Sequence, residues 1–316
     1  MPIIACVNGR VVPIERATVS VEDRGFQFGD GVYEVVRSYH GVLFHLDEHL
    51  DRLEQSAKAI RLPLRHSRSH WRRLIQRAYA LSRFPEAKVY VQVTRGPSPR
   101  DHRFPTHVRP TTVITVRRLE ALPWTTRERG VSAVTVPDLR WGRCDVKSVN
   151  LLANVLAKED ARAAGAFEAI LVRDGVVTEG AVSNCFSVID GTVVTSPTDP
   201  SILPGITRAL TADLIRREGI PFRERPVMVD EYRRADEIFL TGTTIEILSV
   251  VSLDGRRVGT GSPGKIARRL YDRFMSAVAA ECGPAPASRP PGRRRSSRGG
   301  DSTRRPVDRL RRRGGL

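Results

Sequence analysis

The chain has 316 residues, 40% of them hydrophobic, which is enough material for two domains with separate cores. No apolar run reaches the ~18 residues of a membrane-spanning helix. The N-terminal MPIIACVNGR lacks the pattern of a signal peptide, and Cys6, Cys144, Cys185 and Cys282 form no C-x-x-C pair. A cytoplasmic protein without a disulfide framework or zinc site is therefore expected. More than half of the formal net charge of +17 sits in residues 283–316, where eleven arginines face only Asp301 and Asp308. Of the 52 basic residues only five are lysines (Lys58, Lys88, Lys147, Lys158, Lys265), so the charge reads as an arginine-rich composition, and amine chemistry has five candidates.

Along the chain, MPIIACVNGRVVPI predicts a hairpin about Asn8-Gly9, and GVYEVVRSYHGVLFHL another about His40-Gly41. A helix is predicted from about Asp47, with Leu50, Leu53, Ala57 and Ile60 on one face, and a second over 69–82 with Trp71, Leu74, Ile75 and Ala78 aligned. KVYVQVTRG alternates Val89, Val91 and Val93 as a half-buried strand does, and TTVITVRR follows as its neighbour. Residues 119–129, with Pro123 and several polar side chains, read as a linker. Beyond it come the strand VSAVTV, a helix over 150–164 closed by Gly165, and hairpins about Asp174-Gly175 and Asp190-Gly191. Pro204-Gly205 opens a helix that stops near Gly219, EIFLTGTT is a strand ending in a polar turn, and 265–281 is the last amphipathic helix.

Strands and helices are interspersed without steady β-α-β alternation, so the fold class expected is α+β in two domains, 1–118 and 130–282. Residues 283–316, rich in Pro, Gly and Arg, cannot bury enough apolar surface to offset their ordering entropy and are expected to be disordered.

Several segments offer chemistry. The helix opened by LPGITR presents free N–H groups and a hydroxyl at its N-terminus, the arrangement that receives phosphate. Thr241-Gly242-Thr243-Thr244 offers a comparable set, although each such turn is also an ordinary cap. Glu179 falls in a short turn between apolar strands, where a carboxylate is either half-buried or simply solvated. Lys147 stands just before a helix between Val146 and Val149, and a lysine on an apolar stretch is paired, covalently used or merely half-exposed. There is no H-E-x-x-H for zinc chemistry.

Six stretches lie in order and at suitable spacing: EDRGFQFGDGVYEVV (22–36), QVTRGPSPRDHRFP (92–105), RWGRCDVKSVNLL (140–152), VTEGAVSN (177–184), LPGITR (203–208) and LTGTT (240–244). Together they resemble the motifs of the fold-type IV pyridoxal-phosphate enzymes, the class IV aminotransferases, and within them the bacterial D-amino-acid transaminases. The likeness covers about residues 3–280. It implies the two-domain α+β fold of that family and pyridoxal 5′-phosphate as cofactor. It implies Lys147 as the lysine that carries the cofactor and Glu179 as the partner of its pyridine nitrogen. Arg52, Ile206, Thr207 and Thr243 correspond to the phosphate cradle. Tyr33, Arg100 and His102 correspond to the group that binds the substrate α-carboxylate, with Val35 and Thr244 on the substrate side. Arg100 and His102 would reach over from the other subunit of a homodimer.

The activity implied is transamination of D-amino acids such as D-alanine with 2-oxoglutarate. Two features depart from the pattern: Gly242 stands where a second cradle hydroxyl is found, and Ala181-Val182 replace a Ser-rich turn. Branched-chain or other L-amino-acid transamination and aminodeoxychorismate lysis share the fold, and the S-P-R-D-H stretch at 98–102 favours the D-specific activity. Nucleic-acid binding by the basic tail is a remote alternative. The tail has no interleaved aromatics and nothing before it resembles a nucleic-acid module, so neither nucleic acid nor a membrane is an expected partner.

Overall fold

Alternating valines and tight turns write the first sheet into the chain. A computed structural model describes residues 3–107 and 109–284. The sheet contains β1 (Ile4–Val7), β2 (Arg10–Pro13), β3 (Gly31–Tyr39), β4 (Val42–Leu43), β5 (Ala87–Thr94) and β6 (Thr111–Arg118), in the order β2-β1-β6-β5-β3-β4 and antiparallel throughout. Asn8 and Gly9 both take positive φ (50° and 81°), the conformation a two-residue hairpin of the right twist demands. Val89, Val91 and Val93 point to the covered face, where α2 (Leu46–Ala59) and α3 (Arg68–Ser82) bury Leu50, Leu53, Ala57, Trp71, Ile75 and Ala78 against them. The short helix α1 (Arg24–Phe28) precedes β3, capped by the Asp23 carboxylate on the Gly25 amide at 2.8 Å.

The chain crosses to the second sheet between β6 and β7 (Val131–Pro137). The expected linker over 119–129 is only partly irregular, because Trp124–Arg129 form the helix α4. The reason is tertiary: Arg127 of α4 pairs with the buried Glu246, which also accepts from the Tyr39 hydroxyl (3.0 Å) and pairs with Arg37 (2.9 Å). Charges drawn from three parts of the chain hold the crossing in place.

The second sheet comprises β7, β8 (Glu168–Arg173), β9 (Val176–Gly180), β10 (Asn184–Ile189), β11 (Thr192–Thr195), β12 (Phe222–Glu224), β13 (Val227–Met228), β14 (Glu237–Gly242) and β15 (Glu246–Leu253), with β16 (Arg256–Arg257) paired to β15. Its order is β12-β11-β10-β14-β15-β7-β8-β9-β13. It is mixed, since β7 runs parallel to both β8 and β15. The parallel step from β7 to β8 passes through α5 (Leu152–Ala163), which Gly165 ends at φ 68°. One face of the sheet buries α6 (Ile206–Arg217) and α8 (Lys265–Cys282), with Phe186 and Phe239 stacked at 5.0 Å between them, while the five-residue α7 (Val229–Arg233) lies by β9 and β13. The described residues belong to one compact unit, whose apolar clusters join the sheets through Tyr39 and Phe44. The disorder expected of 283–316 concerns, from residue 285 on, positions outside the described residues.

Candidate active site

Lys147 lies in an irregular segment laid along the edge of β3. Its carbonyl accepts from the Tyr33 amide (2.9 Å), its amide donates to the Ser56 hydroxyl (3.1 Å), and Val149 N–H donates to the Gly31 carbonyl (3.1 Å). The backbone is thereby pinned while the side chain enters a cavity of about 700 Å³. There the amine stands 3.4 Å from the Tyr33 hydroxyl and 4.4 Å from the centre of that ring. Burial and the charge of Arg52 lower the amine to about 8, against the pull of Glu34 and Glu179. Near neutral pH an appreciable share of it is therefore free base. Burial pushes the Tyr33 phenol up to about 12, so its hydroxyl keeps its proton.

Glu179 is found not in a turn but near the end of β9, buried among donors: Arg140, the Asn184 side-chain amide at 2.8 Å and the Leu203 N–H at 3.1 Å. Arg140 is itself held by Asp138 through two contacts of 2.9 Å. Despite these partners burial raises the Glu179 carboxyl to about 7. At another part of the cavity, Arg52 gives its Nε and one terminal nitrogen to Glu34 (2.7 and 2.9 Å) and donates from the other to the Pro204 carbonyl (3.0 Å). His49 Nδ1 lies 2.7 Å from the same carboxylate. Burial alone would raise Glu34, but Arg52 and His49 hold it well below the usual carboxylate range.

Beside Arg52 the first turn of α6 presents Ile206 and Thr207, whose N–H groups have no partner within the helix. Gly205 is required before them, because a Cβ there would come within 2.0 Å of the Asn184 side-chain oxygen. Thr241 and Thr243 complete this wall, and the buried Thr241 hydroxyl has no hydrogen-bond partner among the described residues. Such an orphaned donor at a cavity wall fits a polar guest or an ordered water.

A class IV aminotransferase family model matches residues 31–253. The chain belongs to the class IV aminotransferases. A D-alanine aminotransferase of Bacillus licheniformis is 40% identical over 87% of this chain and 96% of its own length. That of Listeria innocua is 43% identical over 88% and 96%. Among solved structures, the branched-chain amino acid aminotransferase of Escherichia coli superposes with a TM-score of 0.84 at 29% identity over 89% of this chain and 96% of that one. The branched-chain enzyme of T.th., solved with pyridoxamine 5′-phosphate, gives 0.82 at 26% identity, covering 89% and 95%.

Class IV aminotransferases work with pyridoxal 5′-phosphate, and the residues present fit that group. The cavity supplies an amine of lowered basicity, a buried carboxylate, and a set of N–H, hydroxyl and guanidinium donors suited to phosphate. Of the positions singled out in the sequence, Lys147, Glu179, Arg52, Ile206, Thr207, Thr243 and Tyr33 line one cavity. Among the described residues Val35, Thr244, Arg100 and His102 do not line it. Val35 lies two residues from Tyr33 on β3, and the Thr244 carbonyl accepts from Arg37 at 3.3 Å. Arg100 and His102 gather at the Phe28 ring instead, 4.9 and 5.3 Å from its centre.

The sequence reading passes over Arg140, Asp138, Glu34 and His49. Arg140 and Glu34 fall inside quoted motifs, but nothing local marks any of the four, since each acquires its role from a distant partner. It also passes over the glycine-rich start of α8, GTGSPGK at 259–265. That helix end is already occupied, because the Glu237 carboxylate accepts from the Ile266 and Ala267 amides at 3.0 Å.

Proposed function

We propose that this chain is a pyridoxal-phosphate transaminase of D-amino acids such as D-alanine, with 2-oxoglutarate as the amino acceptor. The observation that carries the reading is one cavity lined by the Lys147 amine, the buried Glu179 carboxylate and the donor-rich start of α6 with Arg52. The relatives named D-alanine aminotransferase, at 40–43% identity, favour D-amino acids over the substrates of the branched-chain enzymes, which share 26–29%.

When bound, the cofactor supplies an electron sink for the pair left at Cα when an amino acid loses its proton there. Lys147 carries the cofactor and, as a free amine, moves a proton to and from its Nζ. An amine near 8 suits both directions at neutral pH. The Tyr33 hydroxyl accepts from that amine and aims it. Glu179, made more basic by burial, holds a proton on the pyridine nitrogen, and Arg140 and Asn184 fix its direction. Arg52, Ile206, Thr207 and Thr243 bind the phosphate. Tyr33, with Arg100 and His102 of the adjoining subunit, binds the α-carboxylate, and Val35 and Thr244, which lie close in the chain to the lining residues Tyr33 and Thr243 but outside the lining itself, would border the substrate side chain.

We read the enzyme as a cytoplasmic homodimer with shared sites, its two sheets marking domains 1–118 and 130–282. Support comes from the exposed apolar side chains of Val155 and Val182 on the cavity rim, continued along α5 by Leu152 and Leu156. The location of Arg100 and His102 away from their own chain's cavity points the same way. No helix among the described residues is long and apolar enough to cross a membrane. The test is a half-reaction followed by cofactor absorbance: D-alanine should convert the cofactor far faster than L-alanine or L-leucine, and a preference for L-leucine would overturn the D-specific reading.

A further inference from the structure

Arg24 is a buried arginine (3% exposed) that the chemistry above does not use. It stands at the start of α1, and its Nε pairs with the Asp30 carboxylate at 2.8 Å. A terminal nitrogen of the same guanidinium donates to the backbone carbonyl of Asp101, the residue between Arg100 and His102. The Phe28 ring, one turn along, is shared: the Arg24 guanidinium lies 4.7 Å from its centre, Arg100 4.9 Å and His102 5.3 Å.

The rest of the loop is tied to the same short stretch. The Arg24 amide donates to the Gly96 carbonyl (3.0 Å) and the Ser98 amide to the Glu22 carbonyl (3.1 Å). Gly96 turns the chain at φ 89°, where a Cβ would fall 1.9 Å from the Arg109 carbonyl oxygen. Asp30 also accepts from Arg95 Nε at 2.8 Å, and the Arg95 guanidinium lies 3.7 Å from the centre of the Phe104 ring at the loop's far end. Both exposed residues, Arg100 and His102, thus stand on a loop whose middle carbonyl is held by a buried, charge-paired fork. An exposed loop left to itself samples many conformations, and a clamp displaced by about 1 Å can lose up to ~100-fold in rate.

We propose that Arg24, aimed by Asp30, is a positioning residue for substrate α-carboxylate recognition: it fixes the Asp101 backbone so that Arg100 and His102 stand ready for the adjoining subunit's substrate. The inference rests on the role given above to Arg100 and His102.

The test uses the full-length holoenzyme. Arg24→Lys keeps a charge beside Asp30 but loses the fork that reaches Asp101, and Asp30→Asn is the companion variant should Arg24→Lys fail to fold. Either should lower kcat/KM for D-alanine by about 10- to 100-fold, mostly through KM. Cofactor affinity, read by titrating the apoenzyme, should stay unchanged, as should the response to D-alaninol, which has the same hand and amine but no carboxylate. In an Arg100→Ala background, Arg24→Lys should add less than about threefold, because the main cationic side chain it positions is already gone. An equal fall on D-alanine and D-alaninol, a loss of cofactor affinity, or additive effects in the double variant would mean that Arg24 only supports the fold. An impaired Arg100→Ala beside an unimpaired Arg24→Lys overturns this inference alone. An unimpaired Arg100→Ala overturns the carboxylate reading and the inference with it.

Discussion

Two buried carboxylates flank Lys147, and the chain treats them in opposite ways. Glu34 meets both a bidentate arginine and a histidine within 2.9 Å, and is held well below the usual carboxylate range. Glu179 meets Arg140, Asn184 and the Leu203 amide, yet burial wins and lifts it to about 7. Arg140 divides its charge between Glu179 and Asp138, whereas Arg52 gives two nitrogens to Glu34 alone. Depth does not decide the charge state of a carboxylate, but the count and sharing of its counter-ions do. The contrast suits the two tasks proposed above: Glu34, a fixed negative charge, would orient Arg52 toward a phosphate, while Glu179 would be basic enough to hold a proton on a ring nitrogen.

The hardest test of this arrangement removes what lies between the two. Lys147→Ala should abolish turnover while leaving cofactor bound non-covalently by Arg52 and α6, and borohydride reduction of the parent should place the pyridoxyl label on Lys147 by peptide mapping. In the apoenzyme, acylation of Lys147 should rise with pH through about 8, the value burial and Arg52 impose, rather than through the usual lysine range.

Breaking the first carboxylate comes next. Glu34→Gln leaves Arg52 and His49 without their anion, so unfolding at pH 7 should be easier by about 3–5 kcal/mol, read by denaturant titration of the apoenzyme. Because the folded Glu34 carboxyl lies below its unfolded value, its contribution is complete above that unfolded value and disappears as pH falls through the folded one. The penalty of Glu34→Gln should therefore begin to shrink as pH falls below about 4.5 and vanish only in strong acid.

Glu179 has the opposite sign. Its folded value lies above the unfolded one, so its contribution to apoenzyme stability is fully present below about 4.5 and is lost as pH rises through about 7. Glu179→Gln should fold, and should slow turnover by ~100-fold or more, a share of ~3 kcal/mol for one preorganised group. Near-normal rates would show that the ring nitrogen has another partner.

The smallest effect sharpens the comparison at the substrate end. Arg100→Ala should lower D-alanine productivity by about two orders of magnitude, ~2–3 kcal/mol for a charge-assisted pair losing one partner. Cofactor binding should be unchanged. Mixing Lys147→Ala with Arg100→Ala chains should restore activity, since each mixed dimer would hold one site with both residues intact. Recovery should be absent if each site is built within a single chain.

Much of this was legible residue by residue. The valine alternation of β5, the Asn8-Gly9 turn and the helix start at Gly205 are local patterns, and their short-range physics is the same in any context. The motif around Lys147 singled out one lysine of five, and the structure brings it into one cavity with Glu179 and Arg52. What the chain's order did not reveal was which charges would meet. Asp138 with Arg140, Glu34 with His49 and Arg52, and Arg24 with the Asp101 carbonyl join segments that only folding brings together. The helix at Trp124–Arg129, within a stretch that reads as linker, is tied in by one such meeting, Arg127 on Glu246.

Sequence by itself therefore determined most of the longer elements, though not α1, α4, α7 or β15, together with the family and the candidate groups, because periodicity, turn chemistry and motif order act over a few neighbouring residues. Tertiary structure alone decided the protonation of those groups and the aim of their partners. Both depend on the local dielectric and on counter-ions within about 3 Å, and those neighbours are drawn from segments far apart in the chain.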